Sequence, residues 1–366
     1  MLLSNLDQMI NSSIESGLDS AQVLIVKNHK IIKHSAYGDA NLSTLYDIAS
    51  LTKVFSLTVL YQVYATQGKI NLNLTLKEIF PHYFEDQSLA DKANITIKML
   101  LAHEAGFEPN PLFYDKNYNT ELFCQNRDEF LGKLLKAPLI HIPQSCSLYS
   151  DVDFMLLTFI LEHLLQTKID VLFQATFPEL HNQRVCYQPL QHGYSKSEIA
   201  PTELHGNTRD GFIHFDNIRT ETIHGEVQDE KAYHCMNGIS GHAGLFANCE
   251  ALYSALQLMN IPPEFLQSQS DDPSFGLGWR LNKGGDMAYH FGHYASEEAY
   301  GHTGWTGCVV VIDPKYDLKI IYLTNRKHSK VLNPARNQHR FLGDVLWAGQ
   351  YKNIMNEIYR SLGLNQ

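Results

Sequence analysis

The sequence has little positive charge. Its 29 lysines and arginines stand against 39 aspartates and glutamates, which gives a formal net charge of −10 at pH 7. Clustered positive charge is what binds phosphate groups, and no block of lysine and arginine is present. We therefore predict no nucleic acid partner and no attraction to an anionic membrane surface.

Long hydrophobic runs are also missing. The most apolar run, from Phe154 to Leu161, is too short to span a bilayer. The first residues lack the basic region and long apolar region of a signal peptide. We expect no transmembrane segment. Localisation stays open: the protein is cytoplasmic if the chain is complete and periplasmic if a leader was trimmed.

The cysteines and histidines do not form recognisable metal motifs. The six cysteines are scattered without C-x-x-C spacing, which favours free thiols over disulfides or a zinc site. His103-Glu104 begins an H-E-x-x-H pattern, but Phe107 stands where the second histidine is required. Despite its 18 histidines, the chain is predicted to need no metal and no cofactor.

What is present is the composition of a globular protein, with 44% hydrophobic residues among 366. Apolar spacing predicts a first helix from Ser4 to Ser16 and a final helix from about Pro334 to Leu362. Short apolar runs predict strands at Ala21 to Val26, Ile31 to Tyr37, Phe275 to Arg280, Cys308 to Ile312 and Leu318 to Leu323.

The two N-terminal strands have no partners nearby in the sequence. We therefore expect them to join the C-terminal strands in one antiparallel sheet, flanked by the N- and C-terminal helices. Residues 1–46 and 270–366 would form this discontinuous domain, and residues 47–269 a mainly helical inserted domain. The fold class is α+β, with the active site at the interface of the two domains.

Ser50 and Lys53 are three residues apart at the start of an apolar stretch that we expect to form a helix ending near Gly68. Positions i and i+3 are neighbours on a helix. Lys53 can thus take the proton of Ser50, provided that burial keeps its amine partly neutral. Taken alone, the pattern is common, and its ordinary interpretation is an N-cap serine beside a solvated lysine.

Tyr149-Ser150-Asp151 precedes a second apolar helical stretch. A tyrosine held near Ser50 can pass a proton to a leaving group and then activate water. The structural alternative is that Ser150 or Asp151 simply caps the helix, and both interpretations are compatible.

His302-Thr303-Gly304 stands immediately before the apolar strand that starts at Cys308. A strand edge with a glycine allows a substrate backbone to approach and pair with it. Threonine with a neighbouring donor suits a substrate carboxylate. The N–H group of Trp305 can complete an oxyanion hole with that of Ser50.

In order, separation and context, the three motifs together resemble the penicillin-binding protein and serine β-lactamase superfamily. They are similar to its class C β-lactamase-like branch, which uses Ser-x-x-Lys, Tyr-x-Asn/Asp and Lys/His-Thr-Gly. Leu100 to Phe107, Gly238 to Phe246 and Ile312 to Pro314 are also typical of that branch. The resemblance runs from about residue 46 to 325 and implies a β-lactamase/transpeptidase-like fold.

The resemblance implies roles for the matching residues. Ser50 would be the acylated nucleophile, Lys53 its base and Tyr149 the proton shuttle. Asp151 would hydrogen-bond Lys53 or the substrate amide.

His302 and Thr303, with Gly304, would bind the substrate carboxylate, and Trp305 would complete the oxyanion hole. His302 replaces the lysine of many members, which removes a permanent charge and predicts pH-sensitive carboxylate binding. Asp151 replaces an asparagine common in β-lactamases, which disfavours β-lactam hydrolysis more than acylation.

The implied activity is that of a serine hydrolase with an acyl-enzyme, acting on a small molecule or peptide. A D-amino-acid peptide ending in D-alanyl-D-alanine is the first substrate class. The alternatives are an esterase or weak class C-type β-lactamase and, in another class, a non-catalytic penicillin-binding sensor or scaffold.

Two other groups are predicted to be structural. Ser240-Gly241-His242 departs from the G-x-S-x-G nucleophile motif at its last position, so it predicts a tight glycine-rich turn. Arg209 and Asp210 are expected either to form an ion pair that orders their loop or to line the pocket.

Overall fold

The computed structural model describes residues 3–85, 87–285 and 287–365. Its main sheet has six antiparallel strands in the order β2-β1-β9-β8-β7-β6, and a small sheet has the order β3-β5-β4. The strands are β1 Ser20–Lys27, β2 Lys30–Gly38, β3 Tyr46–Asp47, β4 Val185–Tyr187, β5 Leu245–Ala247, β6 Arg280–Leu281, β7 Tyr300–Gly304, β8 Cys308–Asp313 and β9 Leu318–Thr324.

The prediction that the N-terminal strands join the C-terminal strands is confirmed. Strand β1 pairs antiparallel with β9, from Ala21 opposite Thr324 to Lys27 opposite Leu318. Seven of the eight β1 residues are buried, because both faces of this central strand are covered. Val23 and Ile25 pack in one core cluster, while Leu24 and Val26 pack in another, as strand alternation requires.

Helices cover both faces of the main sheet. The helices are α1 Ser4–Glu15, α2 Val59–Thr66, α3 Leu76–Ile79, α4 Ile97–Leu101, α5 Arg127–Leu135, α6 Asp151–Leu165, α7 Ile169–Thr176, α8 Glu230–Met236, α9 Cys249–Leu258, α10 Ala288–Phe291, α11 Leu342–Val345 and α12 Tyr351–Ser361. Helices α1 and α12 share the Val23 cluster, and α2, α4, α6 and α9 share the Leu24 cluster.

Three predicted elements differ from the observed ones. The final helix begins at Tyr351 rather than near Pro334, because Val331 pairs antiparallel with Phe341 and the chain around Pro334 is the loop between them. The predicted strand from Phe275 reduces to Arg280–Leu281. The helix predicted from Ser50 begins as a 3₁₀ turn and a π-helix before it becomes α-helical, and it ends at Gly68 (φ 70°) as expected.

All six cysteines are free thiols, as the sequence predicts. Within the described ranges, every helix is either too short or too polar to cross a bilayer. The proposed boundaries between two domains stay a prediction.

Candidate active site

Ser50 lies on the 3₁₀ turn Ala49–Leu51, directly after the short strand β3. Ala49 adopts φ 46°, a left-handed conformation that is unfavourable for a residue with a Cβ. The chain continues into a π-helix over Lys53–Thr58, a rare form that recurs at functional sites. This geometry leaves Ser50 partly accessible and buries Lys53 completely behind it.

The Lys53 ammonium has three acceptors around it. Its Nζ lies 3.1 Å from Ser50 Oγ, 2.8 Å from Asp151 Oδ1 and 3.2 Å from the carbonyl oxygen of His242. It also lies 4.9 Å from the centre of the Tyr149 ring. A charged lysine has three N–H donors and no acceptor, so these three bonds use its full capacity.

The expectation that burial keeps Lys53 partly neutral is wrong. Burial lowers the pKa of Lys53, but the Asp151 carboxylate and the Tyr149 hydroxyl outweigh it and raise the pKa above its usual value. Although burial opposes ionisation of Asp151, Lys53 and Lys231 hold the pKa of that carboxyl well below its normal range. The resting site therefore holds a charged pair.

Tyr149 immediately precedes helix α6, and Ser150 is the N-cap of that helix. The Ser150 hydroxyl accepts the N–H of Val152 at 3.2 Å and donates to the carbonyl of Glu108 at 2.9 Å. The predicted capping by Ser150 is thus confirmed. These two bonds fix the backbone next to Tyr149. Tyr149 is held with its ring 5.9 Å from the His302 ring.

His103 packs against Tyr149, and no function at the site was predicted for it from the sequence. The two ring centres lie 4.7 Å apart with the ring planes tilted by 38°, and His103 Nδ1 lies 2.7 Å from Asp153 Oδ2. The Ser150 N–H also points to His103 Nδ1, at 3.2 Å. Burial lowers the pKa of His103 and raises that of Asp153, so this pair is neutral.

Strand β7 presents His302, Thr303 and Gly304 to the site. Its neighbour β6 pairs only with Tyr300 and Gly301, so among the described residues no strand pairs with this end of β7 on that side, which we call the free edge, although the Gly304 carbonyl accepts the Tyr351 hydroxyl. A Cβ on Gly304 would lie 2.4 Å from the carbonyl oxygen of Ile48, which explains why glycine is needed where β7 passes the Ser50 turn. The His302-Thr303-Gly304 motif thus lies within strand β7, and it also precedes strand β8.

His302 is neutral in this structure. Its Nδ1 donates to the carbonyl of Thr303 at 2.8 Å, and its buried Nε2 has no hydrogen-bond partner among the described residues. Burial first, then the charge of Lys53, lowers the pKa of His302 to about 3. The predicted pH sensitivity of a carboxylate site near neutral pH does not follow from a group that stays uncharged there.

A cavity of about 620 Å³ brings the predicted residues together. Seven of the eight line it, and Lys53 lies behind Ser50. The lining members are Ser50, Tyr149, Asp151, His302, Thr303, Gly304 and Trp305. Such a volume accommodates a small ligand or part of a peptide.

Lys231 and Asp229 extend the charged network and were not predicted. Lys231 Nζ lies 3.3 Å from Asp151 Oδ2 and 3.3 Å from Asp229 Oδ2, and it also bonds Asn110 Oδ1. Asp151 therefore bridges two ammonium groups, Lys53 and Lys231. Asp229 is the N-cap of α8, and this capping position is the one local feature by which the sequence could have indicated it.

Asp229 and His242 also belong to two side-chain clusters, one resembling a metal site and the other a Ser-His-Asp triad. Asp151, Asp229 and His242 place metal-ligand atoms within 4.8 Å of one another, but Lys231 already supplies a cation between the two carboxylates. Ser240 Oγ, His242 and Asp229 follow a Ser-His-Asp order at 2.7 and 2.8 Å. Ser240 is fully buried in a turn, so its hydroxyl cannot meet a substrate.

The expected ion pair between Arg209 and Asp210 does not form. Arg209 instead bonds Glu203 and, at 3.0 Å, Glu230, while Asp210 accepts the N–H of Val331. The Arg209 guanidinium also lies 5.3 Å from the centre of the Trp305 ring and lines the cavity. Arg209 therefore has a structural function, because it packs against Trp305 in the hairpin between β7 and β8.

The fold and the site define the class of protein. A β-lactamase/transpeptidase-like sheet with a hydroxyl, an ammonium and a phenol at one cavity is the arrangement of a serine hydrolase that uses lysine rather than histidine beside its serine.

Comparison with known proteins gives the family. Residues 6–344 match the Beta-lactamase family, and the chain belongs to it. A relative from Salmonella gallinarum (strain 287/91 / NCTC 13346), named "Putative D-alanyl-D-alanine carboxypeptidase", is 36% identical over 98% of this chain and 91% of its own length.

Solved structures agree on the fold. A penicillin-binding protein homolog from Caulobacter crescentus superposes with a TM-score of 0.62 and 16% identity over 97% of both chains. EstCE1, a hydrolase with promiscuous acyltransferase activity, gives a TM-score of 0.66 and 17% identity over 97% of this chain and all of its own. At such identities the similarity shows the fold alone.

Proposed function

We propose that this serine hydrolase is a D-alanyl-D-alanine carboxypeptidase-like enzyme with Ser50 as its acylated nucleophile. The observation that carries the proposal is the 3.1 Å contact between Ser50 Oγ and Lys53 Nζ at a cavity that Tyr149 also lines. The name of the Salmonella relative supports the substrate class.

In the proposed reaction, Ser50 Oγ attacks the carbonyl carbon of the penultimate residue. The C–N bond to the terminal residue breaks, and that residue leaves as an amine after gaining a proton. Water then attacks the ester of Ser50 and releases the shortened peptide. Serine and water are both poor nucleophiles until a base takes a proton, so each half needs a proton acceptor.

Lys53 is well placed to be that acceptor but enters the reaction charged. With its three N–H groups bonded, it cannot receive a proton before it loses one. We infer that Tyr149 first loses its own proton to solvent and then, as a phenolate, takes the Ser50 proton, while Lys53 orients Ser50 and stabilises the negative charge on the phenol oxygen. Asp151 and Lys231 hold Lys53 in its charged form.

The substrate-binding assignments follow the free edge of β7. The N–H groups of Ser50 and Trp305 would stabilise the oxyanion. Thr303 and Gly304 would pair with the substrate, and His302 would act as a neutral hydrogen-bonding group instead of a cation.

The neutral His302 also favours a second candidate function, hydrolysis of esters; weak hydrolysis of β-lactams, which carry a carboxylate, gains no support from it. A substrate without a terminal carboxylate loses no charge interaction with this residue. The sensor or scaffold alternative is disfavoured, since a non-catalytic protein has no need to keep Ser50, Lys53 and Tyr149 together.

The nucleophile is tested with a fluorescent penicillin. We expect covalent labelling of the native protein, and loss of the label in Ser50→Ala with unchanged thermal unfolding. Peptide mapping should place the label on the peptide that contains residue 50. An alanine variant that is still labelled would exclude Ser50 as the nucleophile.

The substrate class is tested with a panel of D-alanyl-D-alanine peptides, D-amino-acid amides, p-nitrophenyl esters and cephalosporins. Release of D-alanine, absent in Ser50→Ala, supports the carboxypeptidase. Turnover of esters or cephalosporins without D-alanine release supports the second function. A protein that is labelled but turns over none of them would be a sensor.

A further inference from the structure

We propose that Asp47 is a positioning residue that holds together the two backbone segments of the oxyanion hole. The inference rests on the acyl-enzyme function proposed above. Asp47 is 2% exposed and does not line the cavity, so it acts through other residues. Three separate chain segments are bonded to it.

The first segment is the Ser50 turn. Asp47 Oδ1 accepts the N–H of Ala49 at 2.8 Å. Ala49 is the residue in the left-handed conformation, and it directly precedes Ser50. A conformation that costs free energy persists only where its surroundings enforce it. The charge-assisted bond from Asp47 supplies that constraint next to the nucleophile.

The second segment is the hairpin between β7 and β8. The backbone carbonyl of Asp47 accepts the hydroxyl of Thr306 at 2.7 Å, and the Cys308 thiol lies 3.7 Å from the same oxygen. Thr306 follows Trp305, whose N–H is the second proposed oxyanion donor. One residue thus bonds both sides of the hole.

The third segment leads to the charged network. Asp47 Oδ2 accepts the N–H of Gln228 at 2.7 Å, and the Gln228 side chain donates to Glu203 at 2.6 Å. Asp229 follows Gln228 in the chain and bonds Lys231. A shift of Asp47 would therefore displace the Ser50 turn, the Trp305 hairpin and this network together.

The strength of the hydrogen bonds that Asp47 accepts depends on pH through its ionisation. Burial raises its pKa to about 6, although the N–H bonds from Gln228 and Ala49 lower it. The charged groups that act on it are Asp229, which raises the pKa, and Arg219, which lowers it; the Cys308 thiol lies beside it. A protonated carboxyl accepts weaker hydrogen bonds than a carboxylate, so the support loosens in acid.

The test is Asp47→Asn, compared with Asp313→Asn. In the wild type each Asp47 oxygen accepts one of the two N–H groups, and asparagine replaces one of these oxygens with an NH2 donor, so one N–H group loses its acceptor. Asp313 is the matched control: it is buried and bonds Ser296 and Tyr359, but it ends β8 roughly 17 Å from the hairpin. Both variants are followed by thermal unfolding and by the rate of acylation with fluorescent penicillin.

We expect Asp47→Asn to lower the limiting rate of acylation by about 100-fold. The half-saturation concentration should stay within about threefold, because Asp47 does not touch the ligand. The wild-type rate should fall below a pH of about 6, and this acidic limb should be missing in Asp47→Asn. Asp313→Asn should acylate at the wild-type rate with the wild-type pH profile.

An Asp47→Asn protein with wild-type acylation would overturn the inference. So would equal rate losses in both aspartate variants, since these would reflect general destabilisation. If Asp47→Asn does not fold, Thr306→Val replaces it by removing only the hydroxyl bond, with an expected loss of about tenfold; a wild-type rate there also overturns the inference. A label that persists in Ser50→Ala would instead overturn the proposed function.

Discussion

Lys53 and Asp151 show how two buried charges stabilise one another at a site of acyl transfer. Lys53 is completely buried, and its ammonium is bonded by Ser50, Asp151 and the His242 carbonyl. Lys231 bonds the other oxygen of Asp151, so the carboxylate is shared between two cations. Removing a proton from Lys53 would leave Asp151 with less compensation, which opposes lysine as the first base.

The distinction between lysine and tyrosine as the base is tested by Tyr149→Phe. Phenylalanine keeps the ring that packs against His103 and lies beside Lys53, and it removes only the hydroxyl. We expect the limiting rate of penicillin acylation to fall by about 100- to 10,000-fold with little change in half-saturation. A rate near that of the wild type would show that Lys53 itself takes the proton after losing its own.

Helix α6 links local chain chemistry to the site at the scale of an element. Its N-cap Ser150 bonds Val152 and Glu108, and Tyr149 precedes it directly. The cap of helix α5 is equivalent in chemistry, because Asn126 accepts the N–H of Asp128 at 3.1 Å, but Asn126 does not line the cavity.

The two caps can be compared by substitution. Ser150→Ala and Asn126→Ala should each cost about 1 kcal/mol of unfolding free energy, measured by urea denaturation. Only Ser150→Ala should also slow acylation, because Tyr149 loses its fixed position. Equal acylation rates in the two variants would mean that the cap does not position Tyr149.

The elements differ in how well sequence predicts them. Strands Ser20–Lys27 and Leu318–Thr324 carry strong apolar patterns, so their positions could be predicted to within one residue at each end, together with their membership of one antiparallel sheet. The segment before Tyr351 holds only the short helix Leu342–Val345 and a 3₁₀ turn, so the prediction of one continuous helix from about Pro334 was wrong. Strand Tyr300–Gly304 contains two glycines and a histidine, and its neighbours rather than its composition make it a strand.

The same limit applies to the site. The residues Ser50, Tyr149 and His302 lie in motifs with recognisable spacing, and the structure brings them to one cavity. Lys231 and the carbonyl of His242 meet Asp151 and Lys53 from parts of the chain about 80 to 190 residues away. Such contacts form only when distant parts of the chain have folded together, and no local sequence pattern predicts them. The pKa of Lys53 could not be predicted for that reason.

At the scale of the whole molecule, the site is where several separate chain segments meet. The main sheet contributes β7 and β8, strand β3 of the small sheet contributes Asp47, and the helical part contributes Tyr149 and Lys231. The site therefore exists only in the folded chain, and the stability of the fold should report the ionisation of groups buried within it.

His302 allows this linkage to be measured. Its pKa is about 3 in the folded protein and ordinarily about 6.5 when unfolded. The neutral histidine therefore contributes stability above pH 6.5, and that contribution is lost as the pH falls from 6.5 towards 3, since only the unfolded chain binds the proton. At pH 5 the loss amounts to about 2 kcal/mol.

The measurement is urea unfolding of the wild type and His302→Asn between pH 7.5 and 4.5. The stability difference, wild type minus variant, should shrink in acid, because asparagine binds no proton. His192→Asn is the control for replacing an exposed histidine, measured over the same pH range. A constant difference for His302→Asn would mean that folding does not lower the pKa of His302, and the histidine would then become charged in the folded protein below a pH of about 6.5.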